Sequence, residues 1–199
     1  PYTTLFRSTP DVQTVIVGAG FSGIGAGILL DRAGLGDYRI LEAGSGPGGT
    51  WFWNTYPGVA VDIPSFSYQF SFEQSADWSR TYAKGHELKA YAEHCVDKYG
   101  LRDRIRFGTE VTGAEYDDAA DLWRVHTSGG TISARFLING SGVLTVPKPP
   151  DIDGVNDFAG ITLHTARWDS SIDLRGKRVA IIGTGASAVQ VIPEIAPLV

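Results

Sequence analysis

The stretch Val12-Gln-Thr-Val-Ile-Val17-Gly18-Ala-Gly20-Phe21-Ser22-Gly23, continued by Ile24 to Ala33 and closed by Gly34, decides the fold. A short apolar run that meets a G-x-G-x-x-G turn and then a run of small and aliphatic residues reads as strand, tight turn and helix. Gly18 permits the sharp turn, Gly20 lets the backbone approach a pyrophosphate, and Gly23 lets the helix pack close to the strand. The helix start offers N–H groups and about half a positive charge to the phosphates. A second apolar run, Tyr38 to Leu41, ends in Glu42 about 20 residues further on, where a carboxylate accepts hydrogen bonds from an adenosine ribose. The alternative role for Glu42 is a solvated carboxylate at a strand end. This order predicts a βαβ unit on a parallel sheet, an α/β fold of the Rossmann-like, dinucleotide-binding kind.

The signature returns at Gly183-Thr184-Gly185-Ala186-Ser187-Ala188, after an apolar run from Arg178 to Ile182 that is expected to be a strand. Ala188 replaces the third glycine and still leaves room for close packing. The following helix starts at about Ser187 and is expected to kink near Pro193. One such fold handles one cofactor. Two sites suit an enzyme that passes electrons from a nicotinamide to a flavin.

Between the two turns, Gly44 to Gly49 reads as a glycine-rich loop, and Trp51 to Phe72, interrupted by Pro57 and Pro64, as mostly irregular structure. His86 to Tyr99 places Leu88, Tyr91, Ala92, Cys95, Val96 and Tyr99 on one helical face, with Gly100 as the stop. Ile105 to Phe107, Val111 to Tyr116, Leu122 to His126 and Thr131 to Ala134, separated by turn residues, predict an antiparallel β-meander. Phe136 to Ile138 then reads as a strand returning to the parallel sheet and ending at Asn139-Gly-Ser-Gly142. Pro147 to Pro150 is a rigid, extended break.

Composition excludes several classes. The net charge of -5, spread without acidic or basic runs, gives no electrostatic case for nucleic acid or an anionic membrane surface. The longest apolar runs fall far short of the roughly 20 residues that cross a bilayer, and no membrane segment is expected. A single cysteine, Cys95, cannot form an intramolecular disulfide and fits a reducing, cytoplasmic setting. Neither metal-ligand spacing nor a nucleophile elbow occurs, so no metal is expected.

Two further segments carry chemistry. Gly49-Thr50-Trp51-Phe52-Trp-Asn-Thr-Tyr56-Pro57-Gly58-Val-Ala60-Val61-Asp62 sets three large aromatics in a broken loop, a plausible wall for a flat heterocycle. Asp62 either orients a cation beside a redox cofactor or caps a loop. In Phe158-Ala-Gly160-Ile-Thr-Leu-His164-Thr-Ala-Arg-Trp168-Asp169, His164 and Trp168 stand four apart, but Gly160 and Thr162 argue against a continuous helix.

These patterns together resemble the Baeyer–Villiger monooxygenases, flavoproteins that use FAD and NADPH. The family fingerprint F-x-G-x-x-x-H-x-x-x-W, followed by P or D, is met at Phe158, Gly160, His164, Trp168 and Asp169. A second family pattern runs from Gly48 or Gly49 through Trp51, Tyr56, Pro57 and Gly58 to Asp62, and both nucleotide turns flank them in the family order. The resemblance implies that NADPH reduces FAD, that dioxygen adds to give a flavin peroxide, and that this attacks a ketone to form an ester or lactone. Ketone and dioxygen are the implied small-molecule substrates. By the same resemblance Gly18, Gly20, Phe21, Ser22, Gly23 and Glu42 hold the FAD adenosine and pyrophosphate, while Thr50, Trp51, Phe52, Asp62, Tyr68 and Val111 line the rest of the FAD. Thr184, Gly185, Ala186, Ser187, Ala188, Val189 and Gln190 grip the NADPH phosphates, and Ala60, Val61 and Asp62 approach the nicotinamide. Phe158, Gly160, His164 and Trp168 form a linker that couples the two nucleotide domains rather than touching substrate. Asp62 has a supporting catalytic role, positioning an arginine that the family carries downstream of the second turn and that this chain lacks. Trp168 favours ketones over the nitrogen and sulfur substrates of related flavin monooxygenases, which form the alternative reading.

The chain holds no methionine, and Pro1 to Ser8, PYTTLFRS, matches what a widely used sequencing-library adapter encodes in one frame. The expected organisation is therefore an adapter artefact over 1–8, an FAD-binding domain over 9–150, the linker over 151–177 and the start of an NADP-binding domain over 178–199. On this reading the chain is a fragment of its parent enzyme, inactive alone, or a non-catalytic FAD-binding module.

Overall fold

The computed structural model describes residues 8–199, so Pro1 to Arg7, nearly all of the suspected artefact, lie outside the described residues. These divide into two compact units: one runs up to Gly49 and includes Ala92–Gly142, the other comprises Thr50–Tyr91 and Val143–Val199.

The first unit is built on a six-stranded sheet. Strand β1 (Val12–Val17) leads through the first glycine turn into helix α1 (Phe21–Arg32), and β2 (Tyr38–Leu41) returns beside β1. Next come β3 (Ile105–Arg106), β4 (Val111–Asp117), β5 (Leu122–Thr127) and β6 (Gly130–Asn139), giving the spatial order β3-β2-β1-β6-β5-β4. Pairings β2–β3, β1–β2 and β1–β6 are parallel, while β5–β6 and β4–β5 are antiparallel. β1 and β2, each paired in parallel on both sides, are mostly buried, as the covered strands of a parallel sheet require, with Val15, Ile16, Ile40 and Leu41 essentially inaccessible. α1 lies close on them because Gly27 carries no side chain. A Cβ there would meet Ile40 Cδ1 at 3.2 Å and the Tyr38 hydroxyl at 3.3 Å. The helix ends where Gly34 turns to a φ of 73°, a conformation that costs glycine nothing.

Helix α3 (Gly85–Lys98) follows its expected face, burying Leu88, Tyr91, Ala92, Cys95 and Val96, and stops at Gly100 with φ 65°. The second unit also holds α2 (Thr50–Trp53) and α4 (Ala186–Ile195), with single 3-10 turns at Ser65–Ser67 and Thr165–Arg167. Much of Trp51 to Phe72 is irregular, as its prolines dictate.

Three sequence expectations need correction. Ile105–Arg106 belongs to the parallel side, paired with Ile40 and Leu41, not to the meander. A two-residue strand carries no periodicity that could declare its direction. Thr131–Ala134 and Phe136–Ile138 are not two strands but parts of β6, whose earlier residues pair antiparallel with β5 and whose later ones pair parallel with β1. Arg135 does not interrupt it, because its guanidinium donates to the Asp121 carbonyl and carboxylate at 3.0 Å. Finally, Arg178–Ile182 forms no ladder among the described residues, and Ile182 is 73% exposed. A parallel strand exists only through the backbone groups of a neighbour, and no described strand lies beside this one.

Candidate cofactor site

In the first unit, the turn from β1 to α1 is a region where backbone approaches backbone. Gly18 has φ 91°, and a Cβ on it would stand 2.7 Å from the Gly140 carbonyl oxygen. A Cβ on Gly23 would lie 1.8 Å from the Gly18 carbonyl oxygen. Gly20 and Gly49 cross without side chains, since a Cβ on Gly49 would lie 2.8 Å from the Gly20 Cα. Helix α1 starts at Gly20 with no side-chain cap. A helix start on a glycine floor fits a pyrophosphate, which would complement the dipole.

Glu42 is buried rather than solvated. Its Oε2 accepts from Ala19 N–H at 2.7 Å and its Oε1 from Gly44 N–H at 2.7 Å. These two charge-assisted bonds offset the cost of burying the carboxylate and tie the glycine turn to the end of β2. Each oxygen keeps a second lone pair, which leaves acceptor capacity for ribose hydroxyls. Phe21 is half-buried and Ser22 exposed at the helix start. Val111 opens β4 and packs against the cluster of Val12, Val15, Leu41, Val125 and Ala134. Sequence reasoning gave no role to Gly140. Its signal was the Gly-Ser-Gly that ends β6, where a Cβ would come 2.9 Å from the Val17 carbonyl oxygen.

In the second unit, Thr50 opens α2, where its carbonyl accepts from Asn54 N–H at 3.0 Å and from the Asn54 side chain at 2.9 Å. Trp51 is buried and edge-on to Tyr68, with ring centroids 5.5 Å apart, and its indole N–H donates to the Tyr68 hydroxyl at 3.3 Å. Phe52 is edge-on to Trp53 and carries the Lys89 ammonium over its ring. Aromatics held at right angles keep a rigid apolar wall at little entropic cost. Val61 is buried, whereas Asp62 is exposed.

The segment Tyr56–Ala60 packs against α4. Tyr56, Val191 and Ile195 form a buried cluster against which Val59, Trp168 and Leu174 lie. Gly58 has φ 83°, and a Cβ on it would meet the Gln190 carbonyl oxygen at 2.3 Å. Thus Tyr56 and Gly58 of one motif and Trp168 of the other converge on one helix. The rest of the linker motif is superficial: Phe158, Gly160 and His164 are exposed. His164 caps the 3-10 turn, its Nδ1 accepting from Ala166 N–H at 3.1 Å. Arg167 stacks over Trp53, 4.4 Å from the ring centroid.

The second glycine turn repeats the geometry of the first in outline. Gly183 has φ 113°, and α4 starts at Gly185 without a side-chain cap. Thr184, Gly185, Ala186 and Val189 are exposed, Ser187 is half-buried and Ala188 is buried, so the uncapped end is open to an anion. Gln190 points elsewhere, into the Tyr56–Ala60 segment.

A family model described as pyridine nucleotide-disulphide oxidoreductase matches residues 15–197. The chain belongs to that family. The chain is 44% identical over 188 residues to a Baeyer-Villiger monooxygenase of Streptomyces coelicolor, covering 94% of this chain and 36% of the relative. Another Baeyer-Villiger monooxygenase, of Pseudomonas aeruginosa, matches at the same identity and coverage. Among solved structures, OTEMO in complex with FAD and NADP superposes with a TM-score of 0.88 at 36% identity, covering 96% of this chain and 38% of that one. Closed cyclohexanone monooxygenase superposes at 0.87 with 41% identity, covering 96% and 37%. The resemblance read from the linker and the aromatic segment is borne out, as is the two-dinucleotide-binding fold class. The chain spans a little over a third of the length of these relatives. Among the described residues no helix is long and apolar enough to cross a membrane.

Proposed function

We propose that the whole protein carrying this chain is an FAD- and NADPH-dependent Baeyer–Villiger monooxygenase. One atom of dioxygen enters a ketone to give an ester or lactone, the other leaves as water, and NADPH supplies the two electrons. The observation that carries this reading is the convergence of Tyr56, Gly58 and Trp168 on α4, because two separately defined family motifs meet in one packed cluster.

FAD, when bound, supplies the electron storage and the activation of dioxygen. The chain's own residues bind and shield it. The glycine floor of Gly18, Gly20 and Gly23 and the first turn of α1 take the pyrophosphate, and Glu42 accepts from the ribose with its remaining lone pairs. Trp51, Phe52 and Tyr68 exclude water from the ring system. The open start of α4, from Thr184 to Val189, takes the NADPH phosphates, and Ala60 to Asp62 approach the nicotinamide. Asp62, exposed, would hold a cation there.

Supporting the ketone class, a related cyclohexanone monooxygenase structure holds ε-caprolactone, a lactone. The test is product analysis of the whole protein given NADPH, air, a cyclic ketone and a thioether. A lactone is expected from the ketone. Sulfoxide alone, with the ketone untouched, would place the protein among the heteroatom-oxygenating flavin enzymes instead.

A further inference from the structure

The residue that departs most from its expected role is Gln190. Its carboxamide lies in the second unit against the backbone of Ala60, 130 residues away in sequence, and makes three hydrogen bonds there. The Tyr56 hydroxyl donates to Oε1 at 2.8 Å, the Ala60 N–H donates to the same oxygen at 3.3 Å, and Nε2 donates to the Ala60 carbonyl at 2.9 Å.

The pattern has a simple cause. Val59 and Val61 pair with the chain opposite: Gly85 N–H donates to the Val59 carbonyl at 2.9 Å and Val61 N–H to the Ala83 carbonyl at 3.0 Å. In an extended segment alternate residues direct their N–H and C=O groups to opposite sides, so both groups of Ala60 face away from that bridge. A glutamine side chain ends in the same amide as a peptide unit, with one acceptor and donors beside it. It therefore pairs with Ala60 as a neighbouring strand would. Gly58 permits the approach, since any side chain there would strike the Gln190 carbonyl. The Lys84–Glu194 ion pair at 3.2 Å ties α4 also to the chain opposite, at the residue bridged to Ala60.

We propose that Gln190 is a positioning residue that fixes the Tyr56–Asp62 segment to helix α4, and not a ligand of the nucleotide phosphates. This rests on the proposed function, in which the start of α4 takes the NADPH phosphates and Ala60 to Asp62 approach the nicotinamide. Phosphate binding at one end of α4 and placement of the nicotinamide-facing loop then share one rigid element. Gln190 would then act on flavin reduction only through the placement of that loop, without touching the cofactor.

The experiment compares the unaltered protein with Gln190→Ala, Gln190→Glu and Tyr56→Phe. Hydrogen exchange in the nucleotide-free protein is expected to quicken about tenfold at Ala60 in Gln190→Ala, as loss of a hydrogen bond allows, while Val61 stays protected by Ala83. The flavin-reduction rate at saturating NADPH should fall about tenfold, with NADP+ affinity changed by less than about threefold. Gln190→Glu keeps the acceptor and loses the donor, so it should fall between, which keeps the test open should the alanine variant fold poorly. Adding Tyr56→Phe to Gln190→Ala should cost less than the sum of the two, because their shared bond can be lost only once. An NADP+ affinity that drops about tenfold with unchanged exchange at Ala60 would overturn the proposal and make Gln190 a nucleotide ligand. Unchanged exchange and unchanged reduction would overturn it equally. Failure of the unaltered protein to bind NADP+ would sink the nucleotide reading of α4, while exchange at Ala60 would still decide the clamp.

Discussion

Gly23→Ala is expected to destabilise the protein by about 3 kcal/mol and to abolish its retention of flavin. In an ordinary helix the change would stabilise by up to about 1 kcal/mol, since alanine is the better helix former. Here the added methyl would stand 1.8 Å from the Gly18 carbonyl oxygen and 3.0 Å from its carbon. Neither partner can yield. Gly18 is held at φ 91° and is itself pressed against Gly140, and Gly18 N–H donates to the Leu41 carbonyl at 2.7 Å. The strain would therefore lift α1 off β1, opening the turn whose shape binds the pyrophosphate. Denaturant unfolding together with the flavin-to-protein ratio checks this. A variant of unaltered stability that still binds flavin would show that the turn is not packed as described.

Gly58→Ala is expected to cost a similar amount, about 3 kcal/mol, by a different route. A side chain at φ 83° carries about 1–2 kcal/mol of backbone strain on its own. The methyl would also meet the Gln190 carbonyl oxygen at 2.3 Å and the Glu194 Cγ at 2.8 Å. Glu194 can swing aside, but the Gln190 carbonyl belongs to the helix backbone and cannot. Damage should centre on the second unit, where Tyr56, Val191 and Ile195 would separate. Limited proteolysis should then cut Val143–Val199 faster than the sheet-bearing unit. Equal rates for the two would contradict this local account.

The parts of the fold legible in the sequence are those specified by neighbours in the chain. β1 and β2 fall where the apolar runs place them, and α1 and α3 end at glycines. What the sequence hid depends on partners far away. β3 is too short to show a period, and the direction of its pairing is set by β2. β6 carries Arg135 in mid-strand, which looks like a break until Asp121 is seen to receive it. At the site, the glycine turns and Glu42 were legible from spacing, yet the burial of Glu42 between Ala19 and Gly44 was not. Gln190 lies in the expected phosphate-binding run, and only the fold reveals that its amide is occupied by Ala60.

In the proposed reaction the two glycine turns serve a flavin and a nicotinamide nucleotide that exchange electrons. Anaerobic addition of NADPH to the flavin-loaded whole protein, followed by flavin absorbance, tests it most directly. FAD should be retained through purification, bleach on NADPH addition, and recover its colour when air is admitted. A protein that retains no FAD when supplied with it, or whose bound FAD keeps its oxidised spectrum under excess NADPH, would rule out that exchange.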